Sequence, residues 1–444
     1  MKKVRLLSLA ALSISAIGMT ACNGDKNNGP EKARTLEDVK VGLICLHDNS
    51  STYDKNFIDS MNNACANAGL KESQLIVKTN VPEEGDDCKN AANELVQAGC
   101  NFIVADSFGH EANLRTVAAA NPNVQFLHCT GTTAHTAELA NFHNGFASIY
   151  EGRYLAGVAA GLKLKAMKDA NPNTASKVGY VGAYTYAEVI SGYTSWYLGV
   201  KSVVSDVTMD VRFTGSWYDP TAEKEAAEAL INDGAVLVSQ HADSMGAPNA
   251  CEEHNVPNVS YNGSTYDACP NTFIISSRID WTFIFEMYIN ALANKDEMMS
   301  QYWLAQTDVT GNLLDGSVKL TDVGSAAAPR TQAYLDLLKY ELAGASLMGH
   351  SPVFATNTFT VRNAYTAEGE AGEAFRARAT VDDDYHLLTY MADVNETDNI
   401  VDGNYVSVPD TQVVFGGIFQ ESTERSAPYF DITIDGITLR NTKF

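Results

Sequence analysis

The sequence predicts an α/β protein built from two successive doubly wound halves, followed by a β-rich C-terminal segment. Three observations predict it. Short continuous apolar runs alternate with segments of helical period from about residue 39, the cycle restarts after a long helix over 151–167, and the helical period fades beyond about residue 352. Strands apolar on both faces need cover on both sides, and interleaved helices supply it, which implies parallel sheets.

In the first half, 41–46 (VGLICL) reads as a buried strand. A helix over 54–68 follows, with Phe57, Ile58, Met61, Ala64, Cys65 and Ala68 on one face and Gly69 as its stop. Strand 75–77, helix 86–98, strand 102–105, helix 111–120 and strand 124–128 repeat the unit. In the second half, strands 178–181, 207–213, 236–239 and 256–261 alternate with helices 187–200, 220–232 and 248–254. Asp219 before Pro220 is a helix start, an N-cap followed by proline at the first helical position. Gly157 and Gly161, in the helix linking the halves, suit close helix packing. A helix over 280–295, after strand 273–276, is expected to return to the first half. The expected lobes are therefore 38–149 with 276–303, and 150–275 with 304–351, with crossovers near 142–150, 276–278 and 304–308. The tail, 352–444, carries strand-like runs at 359–362, 386–390, 404–408, 413–419 and 429–434 between Asp, Gly and Asn turns. A separate module and edge strands completing the second lobe both fit this pattern.

The N-terminus reads as an export signal: Lys2, Lys3 and Arg5 precede a short apolar stretch that ends in Met19, Thr20, Ala21 and Cys22. Small residues before a cysteine resemble a bacterial lipobox, so residues 1–22 are expected to act as a lipoprotein signal and Cys22 to carry the lipid. Residues 23–37 then form a flexible tether. The formal charge of −23 and the lack of a basic cluster argue against a nucleic-acid partner, whose phosphates need clustered Lys and Arg. Of the eight cysteines, seven remain after Cys22; Cys251 with Cys269 is the preferred disulfide, and Cys45 and Cys129 are expected as buried thiols.

Open parallel sheets bind ligands at the carboxyl ends of their strands. Those positions here are His47 and Asp48; Asp106, Ser107, Phe108 and Gly109; Cys129, Thr130 and Gly131; Tyr184 with Tyr186; Ser216, Trp217, Tyr218 and Asp219; Gln240, His241, Asp243 and Ser244; and Asn262 with Gly263. Aromatic rings beside neutral and acidic hydrogen-bonding groups suit a planar heterocycle bearing hydroxyls, and the scarcity of cations disfavours a phosphorylated ligand. Trp217 and Tyr218 are adjacent, so only one is expected to face a pocket.

Six motifs in order then carry a resemblance: Asp54-Lys-Asn-Phe57; Ala105-Asp-Ser-Phe-Gly109; Tyr150-Glu-Gly-Arg-Tyr-Leu-Ala-Gly157; Gly179-Tyr-Val-Gly182; Ser216-Trp-Tyr-Asp219; and Gln240-His-Ala-Asp-Ser244. Together they resemble the basic membrane protein family of ABC-transporter substrate-binding lipoproteins, which includes purine-nucleoside and purine receptors. The resemblance implies a type I periplasmic-binding-protein fold, two Rossmann-like lobes about a hinge, outside the cytoplasm. It also implies partners in an ABC permease and its ATPase, a purine nucleoside or base as ligand, and no cofactor. It puts Phe57 in the place of the base-stacking aromatic, with Asp54 and Asn56 beside it and Ser107, Phe108 and Gly109 on the first-lobe wall. Trp217 and Asp219 match the second-lobe aromatic and acid, and Gln240, His241, Asp243 and Ser244 match a loop of the purine-base subgroup. The family's acid after the last second-lobe strand is Asn262 here. Its downstream Lys or Trp finds only Ser277, Arg278 and Trp281, of which Trp281 stays a candidate.

Riboflavin or another planar heterocycle is the alternative ligand. A nucleoside-processing enzyme using Asp106, His241 and Asp243 is the rival class, opposed by the lack of a nucleophile elbow, P-loop, HExxH or GxGxxG motif. His241 with Asp243, and His128 beside Cys129, lack the spacing of a zinc site, so no metal is expected.

Overall fold

The computed structural model describes residues 35–347, 351–395, 400–401, 404–405 and 408–443; the expected export signal, most of the expected tether and Cys22 lie outside them. The first lobe runs β1 (Val41–Ile44), α1 (Thr52–Ala68), β2 (Leu75–Lys78), α2 (Asp87–Gln97), β3 (Phe102–Ala105), α3 (Glu111–Ala120), β4 (Gln125–Cys129) and β5 (Phe142–Ala147). Ser51 caps α1 by accepting from the Asp54 N–H, and Gly69 ends it at φ +89°, where a side chain would be strained. The long helix α4 (Ile149–Ala170) leads into the second lobe: β6 (Lys177–Gly182), α5 (Ala187–Val203), β7 (Thr208–Phe213), α6 (Pro220–Asn232), β8 (Val238–Gln240), α7 (Gly246–Glu253), β9 (Asn258–Tyr261) and β10 (Phe273–Ile279). The chain returns through α8 (Thr282–Leu292), α9 (Glu297–Leu304) and β11 (Asp308–Gly311), and crosses again to β12 (Val318–Leu320) and α10 (Thr331–Leu347).

The first sheet has the order β11-β5-β4-β3-β1-β2 and is parallel throughout. The second has β12-β10-β9-β8-β6-β7, parallel except for β12, which runs antiparallel to β10. Strand order reverses at β1 and at β6, and the two reversal points face one another, where ligand crevices form. The third crossover lies between Gly311 and Val318, not at 304–308, because β11 pairs with β5 and so belongs to the first lobe. All of β10 belongs to the second lobe, so the second crossover follows Ile279. The three crossovers are laced together: Ser148 N–H donates to Gly311 O (2.8 Å) and Asp280 N–H to Ser317 O (2.7 Å).

Close packing of α4 on α5 rests on two glycines. A Cβ at Gly157 would sit 2.0 Å from Trp196 O, and one at Gly199 would sit 2.2 Å from Tyr154 O. The expected Cys251–Cys269 disulfide does not form: all seven described cysteines are buried free thiols. Cys251 and Cys269 instead share Asn258, Asn258 Nδ2 donating to one sulfur and the other sulfur donating to Asn258 Oδ1.

The tail is less β-rich than its composition suggests. It holds α11 (Arg362–Thr366), α12 (Gly369–Arg378), β13 (Ala379–Val381), β14 (Leu387–Ala392), β15 (Ile400–Val401), β16 (Asn404–Tyr405), β17 (Thr411–Gln412), β18 (Val414–Phe415), β19 (Ile418–Phe419) and β20 (Ile437–Leu439). The apolar run 413–419 folds back at Gly416 and Gly417, both at positive φ, which makes it a hairpin rather than one strand. The run at 359–362 gives way to the start of α11. Residues 429–434 bury Tyr429, Phe430, Ile432 and Ile434, leave Asp431 and Thr433 half-buried, and pair in no sheet. β20 then lies parallel to β7 and becomes the outer strand of the second lobe's sheet, so the tail is both a module and a completing edge.

Candidate ligand-binding cleft

Between the facing strand ends, Leu46, His47, Tyr53, Asp54, Ser107, Phe108 and Thr130 from the first lobe oppose Glu188, Trp217, His241, Asp243, Tyr261 and Asn262 from the second. Closed in this way they leave a void of about 20 Å³, about the space of one water molecule. The lobes touch on both rims. Phe108 stacks on Tyr186 at 5.1 Å, His47 meets Tyr218 at 5.3 Å, and Thr52 donates through N and Oγ1 to Asp243 O (both 3.1 Å). This is the closed arrangement of a two-lobed receptor.

The polar groups are fixed before any ligand enters. His47 N–H donates to Asp54 Oδ1 (2.7 Å), and Asn262 Nδ2 donates to Asp243 Oδ1 (3.1 Å). Burial, then the charges of Asp54 and Glu223, push the Asp243 carboxyl well above the ordinary carboxylate range. Burial pushes His241 down, towards the neutral imidazole. Arg153 approaches His241 Nδ1 at 3.5 Å, so Nδ1 accepts and Nε2–H points to Glu188, 3.4 Å away. Arg153 itself is buried, donates to Gln240 O, and lies 4.2 Å from the centre of the Tyr261 ring. It braces the cleft floor without lining it.

Cys45, Asp54 and Asp106 are a trio whose potential ligand atoms gather within 4.8 Å. Burial, then the charge of Asp54, push Asp106 well above the ordinary carboxylate range.

Nine of the expected residues line the cavity: His47, Asp54, Ser107, Phe108, Thr130, Trp217, His241, Asp243 and Asn262. Phe57 does not. It is fully buried one turn behind the cleft and stacked on Trp281 at 4.5 Å, so both residues belong to the core between α1 and α8. Tyr53, four residues earlier, takes the cleft-facing position and is held there by its hydroxyl, which donates to Asp106 O (2.6 Å). Asn56 bonds Ile279 O and Arg278 at the crossover, and Asp48 accepts from Ser50 N–H at the rim. Gly109 N–H donates to Glu83, Asp219 caps α6, and Gln240 Oε1 accepts from Asn258 within the sheet. Ser244 accepts from Gly246 N–H. Tyr184 sits edge-on to Trp217 at 5.0 Å and supports it from behind. Of the adjacent pair, Trp217 faces the cavity and Tyr218 the rim.

Tyr53, Glu188 and Tyr261 were not singled out by sequence. Tyr53 and Glu188 sit in the first turns of α1 and α5, just beyond the strand-end positions, and an aromatic or acid there is the signal that could have found them. Arg153, a lone cation in the apolar run 149–161, carried a similar signal.

Fold and cleft together define a solute-binding protein of the type I periplasmic class. Residues 41–324 match the family model described as ABC transporter substrate-binding protein PnrA-like, and the chain belongs to that family. Its members are substrate-binding proteins of ABC transporters rather than enzymes, and such proteins are extracytoplasmic. The chain is 31% identical to a purine-binding protein of Brucella abortus over 45% of its length and 53% of the relative's. It is 30% identical to a putative ABC transporter glucose-binding protein of Haloferax volcanii, over 49% and 52%. With an ABC transporter nucleoside-binding protein of Lactococcus lactis it shares 26% over 55% and 66%. The chain thus spans about half the length of the first two of these relatives. A solute-binding protein from Conexibacter woesei superposes with a TM-score of 0.54 at 20% identity, covering 69% of this chain and 97% of that one, a likeness of fold. No helix among the described residues is long and apolar enough to cross a membrane.

Proposed function

We propose that this protein captures a purine, as nucleoside or free base, in the interlobe cleft and delivers it unaltered to an ABC permease and its ATPase, tethered to the membrane by a lipid on Cys22. The observation that carries the ligand class is the pairing of aromatic walls from opposite lobes, Tyr53 and Phe108 against Trp217 and Tyr261, around fixed Asp, Asn, His and Ser groups. A slot with aromatic walls favours a flat ring, and a lining without Lys or Arg disfavours a phosphate. The Asp243 and Asp54 carboxyls, the first pushed up by burial and the second held down by His47 and Ser51, offer fixed polar groups of the kind that ring nitrogens and exocyclic groups of a purine require. The purine-binding relative supports the same reading, and the closed rims support capture rather than turnover.

Calorimetry of the mature protein with adenine, guanine, hypoxanthine, their nucleosides, riboflavin, glucose and amino acids tests it. The expected result is binding of at least one purine with a Kd of about a micromolar or below, equivalent to ~8 kcal/mol. Binding of glucose or an amino acid with every purine silent sinks the assignment; riboflavin alone would move it to another planar heterocycle.

A further inference from the structure

We infer that helix α10 is a pairing surface for a second copy of this chain, the two helices lying antiparallel across a twofold axis near Tyr340. One face of α10 is already used: Leu335, Leu342 and Ala343 are buried, and the helix packs on α4. The opposite face carries Ala333, Leu337, Tyr340, Gly344 and Leu347, all exposed. Their spacing of four, three, four and three is the heptad seam that joins paired helices, here turned to solvent. Leu337 is 69% exposed, Tyr340 78% and Leu347 76%, where an ordinary surface helix carries polar side chains.

The seam fits itself in one direction only. Laid antiparallel about Tyr340, Leu337 of each copy faces Gly344 of the other and Leu347 faces Ala333, so a large side chain meets a small one on either side of the central tyrosines. A Cβ at Gly344 would meet nothing within 4 Å, so the space in front of it is open to receive that leucine. Run parallel, the same seam sets leucine on leucine and glycine on glycine, and leaves a gap.

The area suits a reversible dimer. Tyr334, half exposed beside the seam, and Leu314, exposed where the third crossover runs past Leu347, extend the patch. Side chains exposed to this degree offer on the order of 500 Å² per copy, and ~1,000 Å² for the pair. That is the lower limit for a specific interface, and a patch of this size marks an interaction site on a soluble chain. A bilayer is a poor occupant, because α10 sets the single cation Lys339 against Asp336 and Glu341, where a helix lying on a membrane needs a basic flank.

Sedimentation velocity of the chain from Asn23 onward, at about 1–200 μM, tests this. The wild type should pass from monomer to dimer with a Kd on the order of 10 μM, as an interface at the lower size limit gives. Leu337→Asp, which sets two carboxylates into the seam, should raise that Kd at least about tenfold and leave the melting temperature unchanged, because Leu337 is exposed in the single chain. Gly344→Leu fills the space that Leu337 of the second copy needs, so it should weaken the pair by a similar factor, whereas it would tighten a parallel one. Leu388→Asp, at an exposed leucine of the tail, should associate as the wild type does. A wild type that stays monomeric up to about 200 μM overturns the inference. So does a dimer that Leu337→Asp leaves intact, that Gly344→Leu tightens, or that Leu388→Asp breaks. A monomer that instead floats with phosphatidylcholine vesicles, and is released from them by Leu337→Asp, gives the face to a membrane and overturns it too.

Discussion

The two lobes and the tail reach burial by different routes. In the lobes, each strand is covered by the helix that follows it, and apolar residues recur with the period of the element they build. In the tail, regular elements are short and the core is an aromatic stack: Phe430 lies on Phe354 at 4.3 Å, and Phe354 lies on Tyr150 at 5.4 Å, just past the first crossover. Phe419 packs edge-on to Phe430 from the hairpin. A segment that buries its rings against another unit's hinge has little core of its own. Disturbance there should spread to the whole fold, whereas disturbance at the lobe surfaces should stay local.

The largest expected effect follows from that contrast. Phe430→Ala removes a fully buried ring and should cost about 3–5 kcal/mol. If the tail is integral, scanning calorimetry will record one transition shifted down as a whole; a separate early transition with the lobes unmoved would make the tail an independent module.

Glu421 sharpens the same comparison through pH. Burial pushes its carboxyl up to about 7, beside Ser191 of α5, from the 4.5 of an exposed glutamate. The folded state therefore holds a proton that the unfolded chain releases. Its contribution is complete below about pH 4.5, falls as pH rises towards 7, and is lost above it, on the order of 3 kcal/mol in all. Glu421→Gln should flatten that part of the decline and leave the variant more stable than the wild type at pH 8. Denaturant titrations across pH 4.5–8 check it, and parallel curves for the two proteins would mean that Glu421 titrates normally. Glu151 and Glu223, also pushed up to about 7 by burial, keep some slope in both.

Within the lobes the effects should separate. Trp217→Ala should weaken purine binding by about 1–3 kcal/mol with little change in melting temperature, whereas Phe57→Ala should do the reverse, costing about 3–5 kcal/mol of stability. Loss of affinity in a still-stable Phe57→Ala would return that residue to the site. The smallest effect belongs to Asp219→Ala, which removes the cap that accepts from Thr221 and Ala222 N–H groups and should cost about 1 kcal/mol without touching affinity. A tenfold fall in binding by that variant would show that Asp219 meets the ligand.

Sequence alone determined the strand and helix order over residues 41–128 and 151–295, the two wound halves and the set of strand ends that could meet, because each rests on local period and on stops such as Gly69 and Pro220; it missed the strand β5 at 142–147, read as a crossover, and the helix α9. It also placed nine of the residues that line the cleft. Only the tertiary structure decided between Tyr53 and Phe57, since both occupy α1 one turn apart and the choice depends on where α8 packs. Tertiary contacts alone also set the third crossover, which depends on β11 pairing with β5, and the free state of Cys251 and Cys269. The tail was least legible for the same reason. Its buried residues answer to Tyr150, β7 and Asp308, partners up to 228 positions away in the chain, and no local pattern encodes a contact made at that distance.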